Sequence, residues 1–334
     1  MKDQNMLNRR SFALALAVAL FSSISHSGTL LEDFSSNPSA RGWQVWGDTN
    51  LFSWAVAEES LNATWNSSTS NSYFYHSLGT VLARDDDFAL SFDLRLHDIA
   101  TTTKPGPFQI AVGLVGFAEA TRSDYWRGTG VNAQHGPRNV CEFDYFPAGY
   151  YPDFGDVAPS VSPTVVSSDN IFSSGFDLLE LTNNETYHVE MVYISSNSVL
   201  RTTLSLGGQN IGPLGEVQLV SNFTDFRLDT VAVCSYSDAG DDFDSVLAHG
   251  TVDNLVLTLP PPPLENLTSS WSNGVYVVEF GTRTNWNYTL DRSINLADWN
   301  PISTAVVGTG TNLSLQDVTP PAPAAFYRVT ANHR

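Results

Sequence analysis

Phe88-Ala89-Leu90-Ser91-Phe92-Asp93-Leu94-Arg95-Leu96 alternates large apolar residues with small or polar ones without a break. Successive side chains of an extended strand point to opposite faces, so Phe88, Leu90, Phe92, Leu94 and Leu96 define one buried face. Runs of similar character recur at 108–117, 139–146, 187–194, 199–206, 228–236 and 251–259, separated by turn residues. Ser195-Ser196-Asn197 sits between two of them and reads as a hairpin connection. Beyond the N-terminal leader no sustained helical periodicity occurs. Many short strands without helices predict an all-β chain, with two antiparallel sheets packed as a sandwich or jelly roll.

The run Val140-Cys141-Glu142-Phe143-Asp144-Tyr145-Phe146 concentrates the chemistry. Read as a strand, it puts Glu142 and Asp144 on one face and Cys141 and Phe143 on the other. Two carboxylates about 6.6 Å apart along a strand can serve a metal, a sugar or glycoside cleavage, or form a solvated face. The next loop adds Asp153 and Asp156. Four like charges so close in sequence repel unless spread apart or neutralised, and a hard cation favours carboxylates. Glu142, Asp144, Asp153 and Asp156 are therefore the expected ligands of one calcium ion.

Trp126, Tyr145, Tyr150, Tyr151 and Phe154 crowd the same region and are the expected ligand-binding rings. Sugar rings stack their C–H faces on aromatic side chains, while carboxylates accept their hydroxyl protons. The competing assignment is that such rings fill the core. Tyr150 and Tyr151, between Gly149 and Pro152, are the pair for which a core role is least natural.

At the N-terminus, Arg9 and Arg10 precede an apolar run over 12–21, and Ser25 and Ser27 stand at −3 and −1 before Gly28. That order predicts a secretory signal at 1–27 and an exported protein. The apolar run is too short to span a bilayer. Asn8-Arg9-Arg10-Ser11-Phe12 is also similar to a twin-arginine signal, so both export routes stay open. A net charge of −19, with 35 acidic against 16 basic residues, argues against nucleic acid or anionic membrane as a partner. It is compatible with calcium, with neutral polysaccharide, or with solubility in a salty medium. Cys141 and Cys234 are the only two cysteines. In an exported chain a disulfide between them is expected, buried free thiols being the alternative.

Pro260-Pro261-Pro262-Pro263 is the one evident linker, a stiff segment that cannot donate to a sheet. It divides a large unit at 28–259, through a linker at 260–264, from a small β unit at 265–334. The small unit has strand-like runs at 275–280, 288–292 and 326–330, with Trp271, Trp286, Trp299 and Tyr327 available for a core.

Three features over residues 30–259 resemble the concanavalin A-like lectin/glucanase sandwich, including its LamG-like members. They are the Glu142-Phe143-Asp144 strand, the paired runs from Tyr187 and Leu200, and the closing run Val252-Asp253-Asn254-Leu255-Val256-Leu257. The resemblance implies a jelly roll that binds carbohydrate. A legume-type metal site would use Glu142 and Asp144 with Asp153 as the loop carboxylate. Ala148-Gly149 stands where the lectins place an Asn, and Pro159-Ser160-Val161 where they place a His, which leaves an oxygen-only calcium site. The family 16 glucanases need a third acid two or three residues after the Asp, where Phe146 and Pro147 occur. Neither can donate a proton, so no catalytic residue is assigned. No Gly-x-Ser-x-Gly elbow is present. A lyase set of His135, Arg138 and Tyr145 rests on sequence proximity alone. The C-terminal unit resembles small β-sandwich units that end many secreted bacterial proteins, with an accessory or attachment role. The expectation is a secreted, non-catalytic polysaccharide-binding protein. The alternatives are a glycan-active hydrolase or lyase on the same fold, and a structural surface or matrix protein.

Overall fold

The computed structural model describes residues 28–100, 104–127, 136–212, 214–321 and 324–334. The signal reading of residues 1–27 and the lyase candidate His135 fall outside them. The alternating run that opens the sequence analysis belongs to the strand Phe88–Ala100, with Phe88, Leu90, Phe92, Leu94 and Leu96 all buried. It is central in a nine-stranded sheet, flanked by Thr186–Ile194 and Leu247–Thr258. The Ser195–Asn197 turn closes a hairpin to Val199–Leu206, with Ser198 in the left-handed region.

A second nine-stranded antiparallel sheet places Val140–Phe146 beside Ile110–Val115, then Leu228–Ser235, then Ser72–Leu82. The two sheets stack face to face around one core that runs from Phe34 to Leu257. Phe92 of the first sheet meets Phe143 of the second edge to face, with ring centroids 6.0 Å apart. This is the all-β, two-sheet sandwich expected from the periodicity, 54% strand and 5% helix. No helix among the described residues is long and apolar enough to cross a membrane.

The C-terminal residues build a separate small core from Val278, Phe280, Trp286, Tyr288, Leu290 and Leu315. Two of the rings expected there are elsewhere. Trp271 is exposed on the edge strand Leu264–Ser272, and Trp299 is half-buried beneath the Arg328 guanidinium, 4.5 Å from its ring centre. Tyr327 stacks on Tyr276 at 3.9 Å. The small unit docks on the sandwich through Asp86, which is fully buried. Asp86 pairs with Arg283, accepts from Asn285 at 3.2 Å, and lies 3.5 Å from His333 Nε2.

The expected disulfide is not formed: Cys141 and Cys234 are free, buried thiols. The register explains it. Cys141 lies opposite Leu114, whereas Cys234 lies opposite Ala111, and Ile110–Val115 runs between their strands. Residues paired across a sheet share a face, and Leu114 and Ala111 are an odd number apart. The two sulfurs therefore point to opposite sides of the sheet, beyond reach of a bridge.

Candidate functional site

Glu142 and Asp144 project from the second sheet away from the sandwich core, as alternation requires. Both are nonetheless fully buried. A cover made of residues 117–127 lies over this face, pinned by side chains from the sheet. Tyr73 Oη donates to the Ala120 carbonyl at 2.8 Å, Asn71 Nδ2 to the Tyr125 carbonyl at 2.9 Å, and Gln109 Nε2 to the Arg127 carbonyl at 3.0 Å. Gly113, between Glu142 and Ala232 in one cross-strand row, is so close that a Cβ would stand 2.3 Å from the Cβ of Glu142.

Arg127 enters from the cover and is itself buried, 4% exposed. Its Nε donates to Glu142 Oε1 and its Nη2 to Asp144 Oδ2 at 2.6 Å, while Tyr236 Oη donates to Glu142 Oε2 at 2.7 Å. Burial works against the charged guanidinium, but Asp144 and Glu142 outweigh it and raise the Arg127 pKa. One guanidinium faces two carboxylates, which leaves one negative charge in excess. Asp144 absorbs it: burial pushes its carboxyl well above the usual range despite Arg127, and its Oδ1 has no hydrogen-bond partner. Gln109 Oε1 and Tyr125 Oη are likewise buried without partners.

These residues do not fit the calcium site expected from the sequence. The place between Glu142 and Asp144 belongs to Arg127, whose charge does the neutralising assigned above to a cation. Asp153 and Asp156 are exposed on the hairpin formed by Gly149–Tyr151 and Gly155–Val157. Among the described residues no group of three or more His, Cys, Asp and Glu side chains is placed to hold a metal ion. The four acids are two separate features. The same burial removes Glu142 and Asp144 from any substrate, which deprives the glucanase reading of its remaining carboxylates.

The expected ligand-binding rings divide as well. Tyr145 is core, 1% exposed, and its Oη accepts from the Leu181 amide at 3.2 Å. Trp126 is partly exposed at the end of the cover. Tyr150 is exposed, but alternation turns it to the opposite side of the hairpin from Tyr151. Tyr151 and Phe154 do come together, edge to face at 6.4 Å. They line a groove of about 310 Å³ whose other wall is the loop carrying Asp241, Phe243 and Asp244. Tyr151 Oη donates to Asp244 Oδ1 and ties the two walls. Gly106, at φ +91, permits this closure, since a Cβ there would stand 2.7 Å from the Tyr151 ring. Burial raises the Asp244 carboxyl, opposed by the bond from Tyr151, with Asp241 and Asp238 adding repulsion. Phe154, 86% exposed, and Phe243, 43% exposed, leave apolar faces at the rim beside Asp153 and Asp241.

Sequence reading missed Arg127, Tyr236 and the whole 238–244 wall. Asp238, Asp241, Asp242 and Asp244 in seven residues, with Phe243 among them, repeat the acid-and-ring composition of 150–156 and could have been read beside it. Arg127 has no local signal, because its partners are fifteen and seventeen residues away.

No family model and no curated protein matches this chain. Among solved structures it is similar to peanut lectin, at 16% identity and a TM-score of 0.43 over 70% of this chain and 99% of that one. It is similar to lectin I of Ulex europaeus in complex with the methyl glycoside of α-L-fucose, at 12% identity and a TM-score of 0.42 over 70% and 98%. It is also similar to an alginate lyase in complex with an alginate tetrasaccharide, at 14% identity and a TM-score of 0.40 over 70% and 98%.

Proposed function

We propose that this protein binds polysaccharide without cleaving it, through the groove between the 149–157 hairpin and the 238–246 loop. The observation that carries the reading is the pair of exposed rings, Phe154 and Phe243, at the rim of a cavity that also presents Asp153 and Asp241. An exposed ring beside carboxylates meets both halves of a sugar, its apolar C–H face and its hydroxyl edge. Rings so open to water do little for folding, which makes binding the better account of their presence. A non-catalytic role agrees with the sequestering of Glu142 and Asp144 under the cover. Export of the protein and an accessory role for its C-terminal unit belong to the same proposal.

Replacing Phe154 and Phe243 together by Ala tests it. Retention on insoluble polysaccharide should weaken by about 1–3 kcal/mol, the range measured for ring stacking in nucleic-acid complexes, while the melting temperature stays within a degree or two. Release of reducing ends from the retained polymer should stay at background. Unchanged retention in the double variant removes the groove as the binding site. Reducing-end release by the parent protein would establish the enzymatic alternative, and no retention of any glycan the structural one.

A further inference from the structure

The outer face of the other sheet carries a second groove, of about 450 Å³, with no Phe, Tyr or Trp in its lining. Two neighbouring cross-strand rows form its floor. Thr186, Arg95, Thr251 and Asn62 lie opposite one another across four strands, and beside them His188, Asp93 and Asp253 do the same across three. Three features of this floor are unexplained by folding.

The first is Asp93 placed directly opposite Asp253, since like charges in cross-strand register cost stability. Asp93 is held by His188 Nδ1 at 2.7 Å and by Asn254 Nδ2 at 2.8 Å. Asn254 reaches it from a bulge between Asp253 and Val256, in a left-handed conformation at φ +48. The second is Ser60, 5% exposed, a residue of the groove lining whose buried hydroxyl has no hydrogen-bond partner. A buried hydroxyl left unsatisfied is costly, and a ligand group would complete it. The third is Arg95, exposed, which makes no ion pair among the described residues although Glu58, Asp93 and Asp253 line the same groove.

We propose that this groove is a second saccharide site, which takes one or two units of a neutral, hydroxyl-rich glycan edge-on. Each sugar hydroxyl both donates and accepts, and the floor offers both: acceptors on Asp93 and Asp253, donors on Arg95, and either on Ser60. Charged groups form the stronger hydrogen bonds to such hydroxyls. Glu58, Asp93 and Asp253 repel uronate or sulfated chains, and the lining has no Phe, Tyr or Trp to stack on a sugar face, the His97 imidazole being its one ring. The volume lies within the range of small-ligand pockets, roughly 300–1,000 Å³. The site shares no lining residue with the Phe154 groove.

Affinity electrophoresis of the full chain, in native gels holding neutral β-glucan, mannan or xylan, tests the proposal, with polygalacturonate as the anionic control. All forms carry Phe154→Ala and Phe243→Ala, so that the first groove contributes nothing. At least one neutral polymer should retard this background protein. Adding Arg95→Ala or Asp253→Asn should reduce the retardation at least fivefold, and Asp253→Asn should leave the melting temperature equal or higher because it relieves the repulsion. Polygalacturonate should not retard any form. The proposal is overturned when no neutral polymer retards the background protein, when retardation survives both substitutions, or when polygalacturonate retards it equally.

Discussion

Two sites in this molecule have the same ingredients, two carboxylates and an arginine on the outer face of a sheet. Their fates are opposite. Glu142, Asp144 and Arg127 lie dry beneath the 117–127 cover, with Tyr236 adding a further hydrogen bond. Asp93, Asp253 and Arg95 lie open, with the acids in register and the arginine unpaired among the described residues. What differs is whether another segment of chain closes over the face. Closure turns charge into structure, because a dry ion must find its partner within the protein. An open face leaves such groups in contact with solvent. Residue type alone does not mark a functional acid; its cover does.

The comparison breaks most visibly at Arg127. Its replacement by Ala strands Glu142 in a dry site, and urea unfolding should register a loss of about 3–5 kcal/mol. Replacing Arg127, Glu142 and Asp144 together by apolar residues of similar size should recover most of that loss. A triple variant as unstable as the single one would mean that the cluster does more than balance its own charge.

Asp86 is an intermediate case, covered by the C-terminal unit instead of by its own domain. Burial alone would raise its carboxyl. His333, Arg283, the Ala83 amide and Asn285 outweigh burial and hold it below the ordinary value. A depressed carboxylate contributes stability that is present above the unfolded value, about 3.9, and lost as pH falls through the folded value. Docking of the small unit should therefore weaken below about pH 4. Limited proteolysis by an acid protease at pH 3, compared with a neutral protease at pH 7, should show new cutting near residues 260–264. An equally protected linker at both pH values would show that the apolar contacts alone hold the units together.

The smallest effect belongs to the open face. Asp253→Asn in the otherwise unchanged chain should raise stability by a few tenths of a kcal/mol, up to about 1, the scale of one cross-strand pair. Calorimetry at low and high salt would sharpen this, since screening should shrink the difference. A loss of stability instead would show that the Asp253 carboxylate is needed by its bulge.

The architecture was legible because period-two alternation survives wherever one face is buried. The Phe88 run and the six runs named with it are found as strands within a few residues of their expected limits. The strands at Ser60–Asn66 and Ser72–Leu82 escaped notice, the second because its exposed half, Ser77 to Val81, dilutes the pattern. Tyr145 was misread because the alternation that separates Cys141 and Phe143 from Glu142 also places Tyr145 with the core. The Glu142–Asp144 pair was picked out for a metal, and the structure buries it against Arg127 instead. Its meaning depended on Arg127, which only the tertiary fold brings near. Tyr150 and Tyr151 were singled out as the contact pair, whereas the structure puts Tyr151 with Phe154 and turns Tyr150 away, and the wall facing them is some ninety residues further on.

The pinned cover also bears on the order in which the chain assembles. Its anchors, Asn71, Tyr73, Gln109 and Glu142 by hydrogen bonds and Tyr236 by ring contacts with Arg127 and Tyr125, come from segments spread over more than 160 residues. No seat for the cover exists until those strands have paired, and pairings so distant are slow to form. Docking of the cover is thus a late event in folding and an early one in unfolding. Weakening it at Arg127 should accelerate unfolding while leaving the refolding rate almost unchanged, the behaviour of contacts absent from the transition state.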